Sequence, residues 1–505
     1  MSTITQSILH TGNGGILVDI ECAVTNGLPN IVVVGLGNKS IDEAKERIRS
    51  SFAFTKLPFP KKRVTINLAP ADIPKDSSSF DVAIAVAILR TINRYPEQKE
   101  NIAYIGELGL DGSIRAVRGI IGKILEGKKL GIKTFIIPKT NLNQAQLIPE
   151  VQLIPVASLL DVQAFLQNPH GGAVINVSQS PYKKKTEDIF LLDEIVGQEQ
   201  AKRALEIAAS GGHNVFLSGP PGTGKSMLAK ALHSLLPSPS VEEILEVTHL
   251  HSLATNNYED LVVSRPFRAP HHSASQASII GGGHPIKPGE ISLSHHGVLL
   301  LDEIPEFNRP TLEALRQPLE DNNITITRSK ESVTFPADFI LIATANPCPC
   351  GYYGSDKICS CSASRLQQYQ QRISGPIMDR IDLFVHVHGV EHSSLLNDQK
   401  LSQGPEVIGR ITKARQVQLN RYGSAATLNT HMTNKNIKEA SNLTPASRSL
   451  LDQAAQSLKL SARSYMRIIR VARTIADMQG IEVILPEHIS EALQYRQQNN
   501  TAISV

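Results

Sequence analysis

Long apolar runs are missing from this 505-residue chain: none approaches the roughly 18 residues that a membrane-spanning helix needs. The opening stretch MSTITQSILHTGNGG also lacks a basic segment ahead of an apolar one, so it does not read as a secretory leader. Cysteine is scarce, with five residues in the whole chain, which excludes the disulfide scaffold of short secreted domains. Internal repeats and long low-complexity tracts are absent. A charge excess is nearly absent too, since +4 overall is too small to imply a nucleic-acid partner by itself. These absences leave a cytoplasmic protein with no membrane partner as the expectation. The 41% hydrophobic and 19% charged residues are an ordinary balance for packed domains, and the length suggests about three of them.

What is present is unevenly placed. Residues 401–480 hold twelve Lys and Arg against four Asp and Glu, an excess that suits a polyanion and equally suits solvated helix faces. The first 165 or so residues alternate β-rich runs (GILVDIECAV, NIVVVGLG, RVTINLAP, TFIIP) with helical patterns (SIDEAKERIRSSFAF, FDVAIAVAILRTI), an α/β or α+β pattern. Turn formers and the Lys183–Lys185 run then mark a linker. A second α/β block follows, and the pattern from about residue 400 is helical. The expected boundaries are 1–168, a linker at 169–188, a core at 189–392 and a helical domain at 393–505.

The second block carries the chemistry. NVFLSGPPGTGKSMLAKAL is an apolar strand, a loop and a helix, and the loop is Gly219, Pro220, Pro221, Gly222, Thr223, Gly224, Lys225 and Ser226. This is a complete P-loop in the context it requires. Glycines let the backbone N–H groups face phosphate at a helix N-terminus, Lys225 is placed for the β and γ oxygens, and the Ser226 hydroxyl for Mg²⁺. GVLLLDEI delivers Asp302 and Glu303 to a strand end, the first suited to the Mg²⁺ shell and the second to polarising the attacking water of ATP hydrolysis. FILIATAN ends at Asn346, whose amide could orient that water.

Four of the five cysteines fall directly afterwards, in ATANPCPCGYYGSDKICSC. Cys348, Cys350, Cys359 and Cys361 form two pairs around a Gly- and Tyr-containing loop, a set of four soft ligands that suits a closed structural Zn²⁺ site. Reduced thiols and redox chemistry are the alternatives. Cys22, alone in an apolar run, reads as a core residue. A long Gly-, Pro- and His-rich stretch (SRPFRAPHHSASQASIIGGGHPIKPGEISLSHHG) precedes Asp302, and its histidines show no metal-ligand spacing. NNITITRSKESVTFPADF alternates around a polar tip and reads as a β-hairpin.

GPPGTGKS, VLLLDEIPEF, ATANPCPCG and GPIMDRIDL together resemble the magnesium-chelatase-like branch of AAA+ ATPases, and nearly the whole chain resembles the bacterial ComM/YifB family. The resemblance implies an ATP-driven hexameric ring with nucleotide between subunits, a P-loop AAA+ core and a C-terminal helical lid. It implies that Arg380 in MDRIDL is the arginine finger and that Arg470 in SARSYMRIIRVARTIADM is the sensor 2 arginine, with Arg467 as second choice. It makes the Gly-rich stretch a helix-2 insert and the hairpin a presensor hairpin, whose Arg328 and Lys330 would line a pore and suit DNA phosphates. Residues 1–168 resemble the Lon-protease-like (ribosomal S5 domain 2-like) fold. Ser79 lies at about the serine position, whereas the lysine position falls near Ile120 and Ile121, with Lys123 two residues further on. The dyad therefore reads as lost. The activity implied is a helicase driving branch migration of DNA in natural transformation; the alternative is a chelatase-like motor that remodels a protein for metal insertion.

Overall fold

The computed structural model describes residues 3–11, 14–35, 39–71, 78–93, 95, 101–169, 174–176, 191–255, 260–283, 285–328, 331–354, 357–373, 377–389, 403–433, 436–437 and 442–496. Most of the expected linker lies outside them. The chain divides into two compact units, one of Met1–Lys183 with Ile244–Val263 and Thr327–Thr334, the other of Lys184–Glu243, Ser264–Ile326 and Phe335–Val505.

The first unit is built on an eight-stranded mixed sheet. Its centre pairs Thr3–Thr11 antiparallel with Gly14–Thr25 and parallel with Ile102–Tyr104. The helix Asp81–Ile92 lies on these strands with Asp81 through Leu89 all buried. Three side chains on the helix-facing side of the first strand are hydroxyls, ahead of the buried Leu9. Thr3 donates to the Ala87 carbonyl and Thr5 to that of Ala83, both at 3.0 Å, and Ser7 donates to the Tyr104 carbonyl at 2.7 Å. A buried hydroxyl without such a partner would be costly, so these bonds are what allow polar residues in the core. Cys22 is fully buried in the same sheet, as its apolar setting suggests. Within this unit Gln144 donates to the Asp260 carbonyl at 3.0 Å, tying the Ile244–Val263 excursion to the α/β body.

The second unit holds a five-stranded parallel sheet in the order Phe267–Arg268, Val298–Leu301, Ile340–Ala345, Val215–Ser218, Leu383–His386. The strands Val298–Leu301 and Ile340–Ala345 are buried at every residue, the continuous apolar signature of strands covered on both faces. The helices Glu199–Gly211 and Lys225–Leu235 contribute to the same hydrophobic core as the sheet, and so do the C-terminal helices Gly404–Tyr422, Pro445–Ser457, Ala462–Gln479 and Pro486–Gln494. The hairpin forms as the alternation suggests, with strands Asn323–Arg328 and Glu331–Pro336.

A buried polar network locks the helical region together. Asp477, fully buried, accepts from Arg421 at 2.5 and 2.8 Å, from Arg473 Nε at 3.0 Å and from Asn429 at 2.8 Å. Asn429 also donates to Thr474 Oγ1, which is 2.8 Å from His213 Nε2 at the end of the core helix. Removing one partner of a buried ion pair leaves the other charge uncompensated. Asp477→Ala should therefore destabilise the folded chain by about 3–5 kcal/mol, measured by denaturant titration. A loss under about 1 kcal/mol, the value of an exposed pair, would contradict this reading.

Candidate nucleotide site

The parallel register brings three strand ends together. Ser218 lies beside Ala345, and Leu301 beside Ala343. The residues that leave these ends (Gly219, Asp302, Asn346) therefore converge at one edge of the sheet. Gly219 must be glycine: its N–H donates to the Ala345 carbonyl at 3.3 Å, and a Cβ there would fall 2.2 Å from the Val387 carbonyl oxygen. The loop then curls through Pro220 to Gly224 into the helix that starts at Lys225, whose first-turn N–H groups form an anion-binding end.

Lys225 is held by three oxygens. Its Nζ donates to the carbonyls of Gly219 at 2.8 Å and Pro220 at 2.9 Å, and to Asn346 Oδ1 at 3.1 Å. Burial pulls its pKa below the ordinary lysine range, while the carboxylates of Asp302 and Glu303 pull it up. Ser226 Oγ donates to Asp302 Oδ2 at 3.1 Å. A hydroxyl and a carboxylate so close are hard oxygen donors of the kind Mg²⁺ takes.

Thr344, which sequence reasoning passed over, joins the two acidic residues. Fully buried, it donates to Asp302 Oδ1 and accepts the Glu303 N–H at 3.0 Å. Glu303 has φ 54°, an uncommon conformation for a non-glycine residue, and its side chain is exposed at the sheet edge. The available signal was period two, which puts Thr344 on the same face as Asn346. His386 was also missed. Its Nδ1 lies 3.3 Å from Ser218 Oγ at the neighbouring strand end, and burial, with His388 and Lys225 nearby, lowers its pKa.

The expected arginines have other partners within the chain. Arg380 Nη2 pairs with Glu320 Oε1 at 2.5 Å, and Arg463 reaches the same oxygen at 2.7 Å. Arg467 donates to the Asp379 carbonyl and lies 3.6 Å from Asp382, and Arg470 donates to the Met432 carbonyl at 2.6 Å. Among the described residues, Arg463, Arg467 and Arg470 make no hydrogen bond to the P-loop. Burial pulls Arg467 and Arg470 below the ordinary arginine range, with the Asp382 carboxylate opposing. Arg328 is exposed at the end of its hairpin strand, while Lys330 and the insert's His284 lie outside the described residues. In the first unit Ser79 is buried, and Lys123 donates to the Ile8 carbonyl at 3.1 Å, with its pKa lowered by burial to about 8.

The four cysteines do come together. Cys348 Sγ is 3.3 Å from Cys350 Sγ and 3.8 Å from Cys359 Sγ, Cys350 and Cys359 are 3.5 Å apart, and all four thiols, with Cys361, lie within 4.8 Å of one another. None is disulfide-bonded. Zinc–thiolate bonds of about 2.3 Å in a tetrahedron set sulfurs about 3.8 Å apart, so the donor set fits that ion in number, softness and spacing. Cys348 is fully buried and receives the Tyr353 N–H at 3.3 Å.

Three family descriptions match successive parts of the chain: subunit ChlI of Mg-chelatase over residues 20–141, magnesium chelatase subunit ChlI over 191–395, and its C-terminal region over 402–496. Among curated proteins, competence protein ComM of Haemophilus influenzae is 41% identical over 486 residues, covering 95% of this chain and 94% of its own. The uncharacterised protein YifB of Escherichia coli is 37% identical over 503 residues, 98% of this chain and 97% of its own. Lon protease 2 of Herpetosiphon aurantiacus is 26% identical over 180 residues, a third of this chain. Fold, site and matched regions define a magnesium-chelatase-like AAA+ protein with a Lon-like N-terminal region. Within that class the chain belongs to the ComM/YifB family. No helix among the described residues is long and apolar enough to cross a membrane.

Because Thr344 holds both acidic residues, Thr344→Val should lower ATP turnover by about 10–100-fold, the usual cost of losing an outer-shell partner. Thr344→Ser should restore most of it. Steady-state ATPase assays check both, and a fully active valine variant would remove Thr344 from the site.

Proposed function

We propose that this protein is an ATP-hydrolysing DNA motor that assembles as a ring, a hexamer on the family pattern, and promotes branch migration of recombining DNA during natural transformation. The observation that carries the ATPase half is the pair of hydrogen-bonded sets at one sheet edge, Lys225–Asn346 and Ser226–Asp302–Thr344–Glu303. The DNA half rests on near full-length similarity to a protein named for competence. The working domains are those expected above: a Lon-like region without peptidase activity, an AAA+ core and a helical lid.

In this reading Gly219 to Ser226 cradle the phosphates, Lys225 turns from its carbonyl partners to the β and γ oxygens, and Asp302 with Ser226 would hold Mg²⁺. Bound there, the ion neutralises charge on the phosphates. Glu303 takes a proton from the attacking water and Asn346 orients it. Arg380 acts on a neighbouring subunit's nucleotide, a role worth about 10³–10⁵ in rate, and Arg470 reports nucleotide to the lid. Cys348, Cys350, Cys359 and Cys361 would hold a structural Zn²⁺. Arg328 and Lys330 contact the phosphate backbone, which every sequence shares, so binding is insensitive to sequence and falls steeply with salt. The protein works in the cytoplasm. The matches to magnesium chelatase subunit ChlI favour a second reading, a motor that remodels a protein partner for metal insertion.

Two measurements test the proposal. Arg380→Ala rings should lose ATP turnover and regain part of it when mixed with Lys225→Ala subunits, because each variant retains the half-site that the other lacks. No recovery in mixed rings would count against catalysis between subunits. Forked or four-way DNA should stimulate the ATPase and be unwound. Neutralising Arg328 and Lys330 should reduce unwinding and flatten the salt dependence of binding by roughly one unit of log–log slope per lost contact. Rings that neither bind such DNA at low salt nor unwind it would move the protein-remodelling reading ahead.

A further inference from the structure

The four-cysteine loop touches the nucleotide site at two points. Asn346, two residues before Cys348, accepts from Lys225 at 3.1 Å. Gly351, the residue after Cys350, lies against the P-loop itself: a Cβ on it would fall 2.7 Å from Pro221 Cδ and 3.1 Å from Pro221 Cγ. Gly351 has φ +87°, a left-handed conformation that glycine alone adopts without strain, and its N–H closes a turn onto the Cys348 carbonyl at 2.9 Å. The first pair of cysteines is thus clamped between two contacts with the P-loop. The second pair, Cys359 and Cys361, returns to it after an excursion whose tip carries the exposed Tyr353, Gly354 and Ile358.

We propose that this loop is a metal-dependent prop for the P-loop, so that zinc held by Cys348, Cys350, Cys359 and Cys361 sets how tightly the site retains nucleotide. The proposal rests on the zinc reading given above. Thiols in van der Waals contact attract one another weakly, whereas four thiolate–metal bonds fix the excursion's two ends and remove the conformational freedom of a loop of this length. With the ends fixed, the backbone at Gly351 is a rigid wall behind Pro221, and the N–H groups of the P-loop keep their aim at the phosphates. With the ends free, Gly351 can recede, Pro221 loses its backing, and Asn346 loses the anchored segment that holds its amide on Lys225. Occupancy of a site outside the phosphate cradle then appears as nucleotide affinity.

The test uses the full-length protein and a fluorescent ATP analogue. Zinc is measured by colorimetric release, and a zinc-selective chelator is added with Mg²⁺ kept in excess. Protein as purified should hold about one zinc per chain, and its removal should weaken analogue binding by about tenfold or more while circular dichroism shows the helices retained. Re-addition of zinc should restore affinity. Gly351→Ala is the independent variant, because it keeps all four thiols but places a methyl group against Pro221 in a strained backbone. It should retain zinc and lose affinity. Zinc bound at one per chain, with equal analogue affinity before and after removal and in Gly351→Ala, would overturn the coupling and leave the zinc site standing. Protein that neither contains zinc nor takes it up would overturn the zinc reading and the coupling with it.

Discussion

The parallel register of three buried strands is the constraint on which this structure depends. Val215–Ser218, Ile340–Ala345 and Val298–Leu301 run side by side in the same direction, so a phosphate-binding loop, a polar sensor residue and a pair of carboxylates emerge at one edge with no further instruction. The central strand does most of this positioning. It is apolar and buried along its length, yet its end carries Thr344 and Asn346, one bonded to the acidic residues on one side and the other to the lysine on the other side. A one-residue slip of that strand would turn both side chains to the opposite face. The hydrophobic packing that fixes the register therefore also fixes the chemistry.

Much of this was legible in the sequence because it is local. The P-loop, the acidic strand end, the hairpin and the paired cysteines each occupy one short stretch whose residue types have a physical meaning in that order. The first strand, Thr3–Thr11, was not legible. Its inward positions before Leu9 are Thr3, Thr5 and Ser7, whose hydroxyls are satisfied by carbonyls some 80 to 100 residues away, so most of that face is polar and no alternation rule assigns it to a core. Thr344 was hidden for a similar reason: its partners, Asp302 and Glu303, lie about forty residues upstream. The approach of Gly351 to Pro221 spans a still longer separation and leaves no trace in spacing.

The arginines follow the same rule. Helical spacing places Arg463, Arg467 and Arg470 on one stripe, but only the folded chain shows that each meets a different acceptor: a carboxylate, a segment beside Arg380 and a backbone carbonyl. The excess of positive charge in the C-terminal region is partly absorbed by carboxylates outside it, Glu320 beside Arg463 and Glu206 beside Arg410.

Glu320 has a further consequence. One of its carboxylate oxygens is shared by Arg380 and by Arg463 of the C-terminal helix, and the carboxylate is roughly half exposed. If Arg380 serves the neighbouring subunit's nucleotide, the γ-phosphate there must displace an anion that Arg380 already has, and of the two guanidinium groups on Glu320 only that of Arg463 remains. Ring closure then becomes an exchange of counter-ions rather than the creation of a contact: its driving force is the difference between a phosphate and a carboxylate, and the helix carrying Arg463 feels the exchange at the moment it occurs.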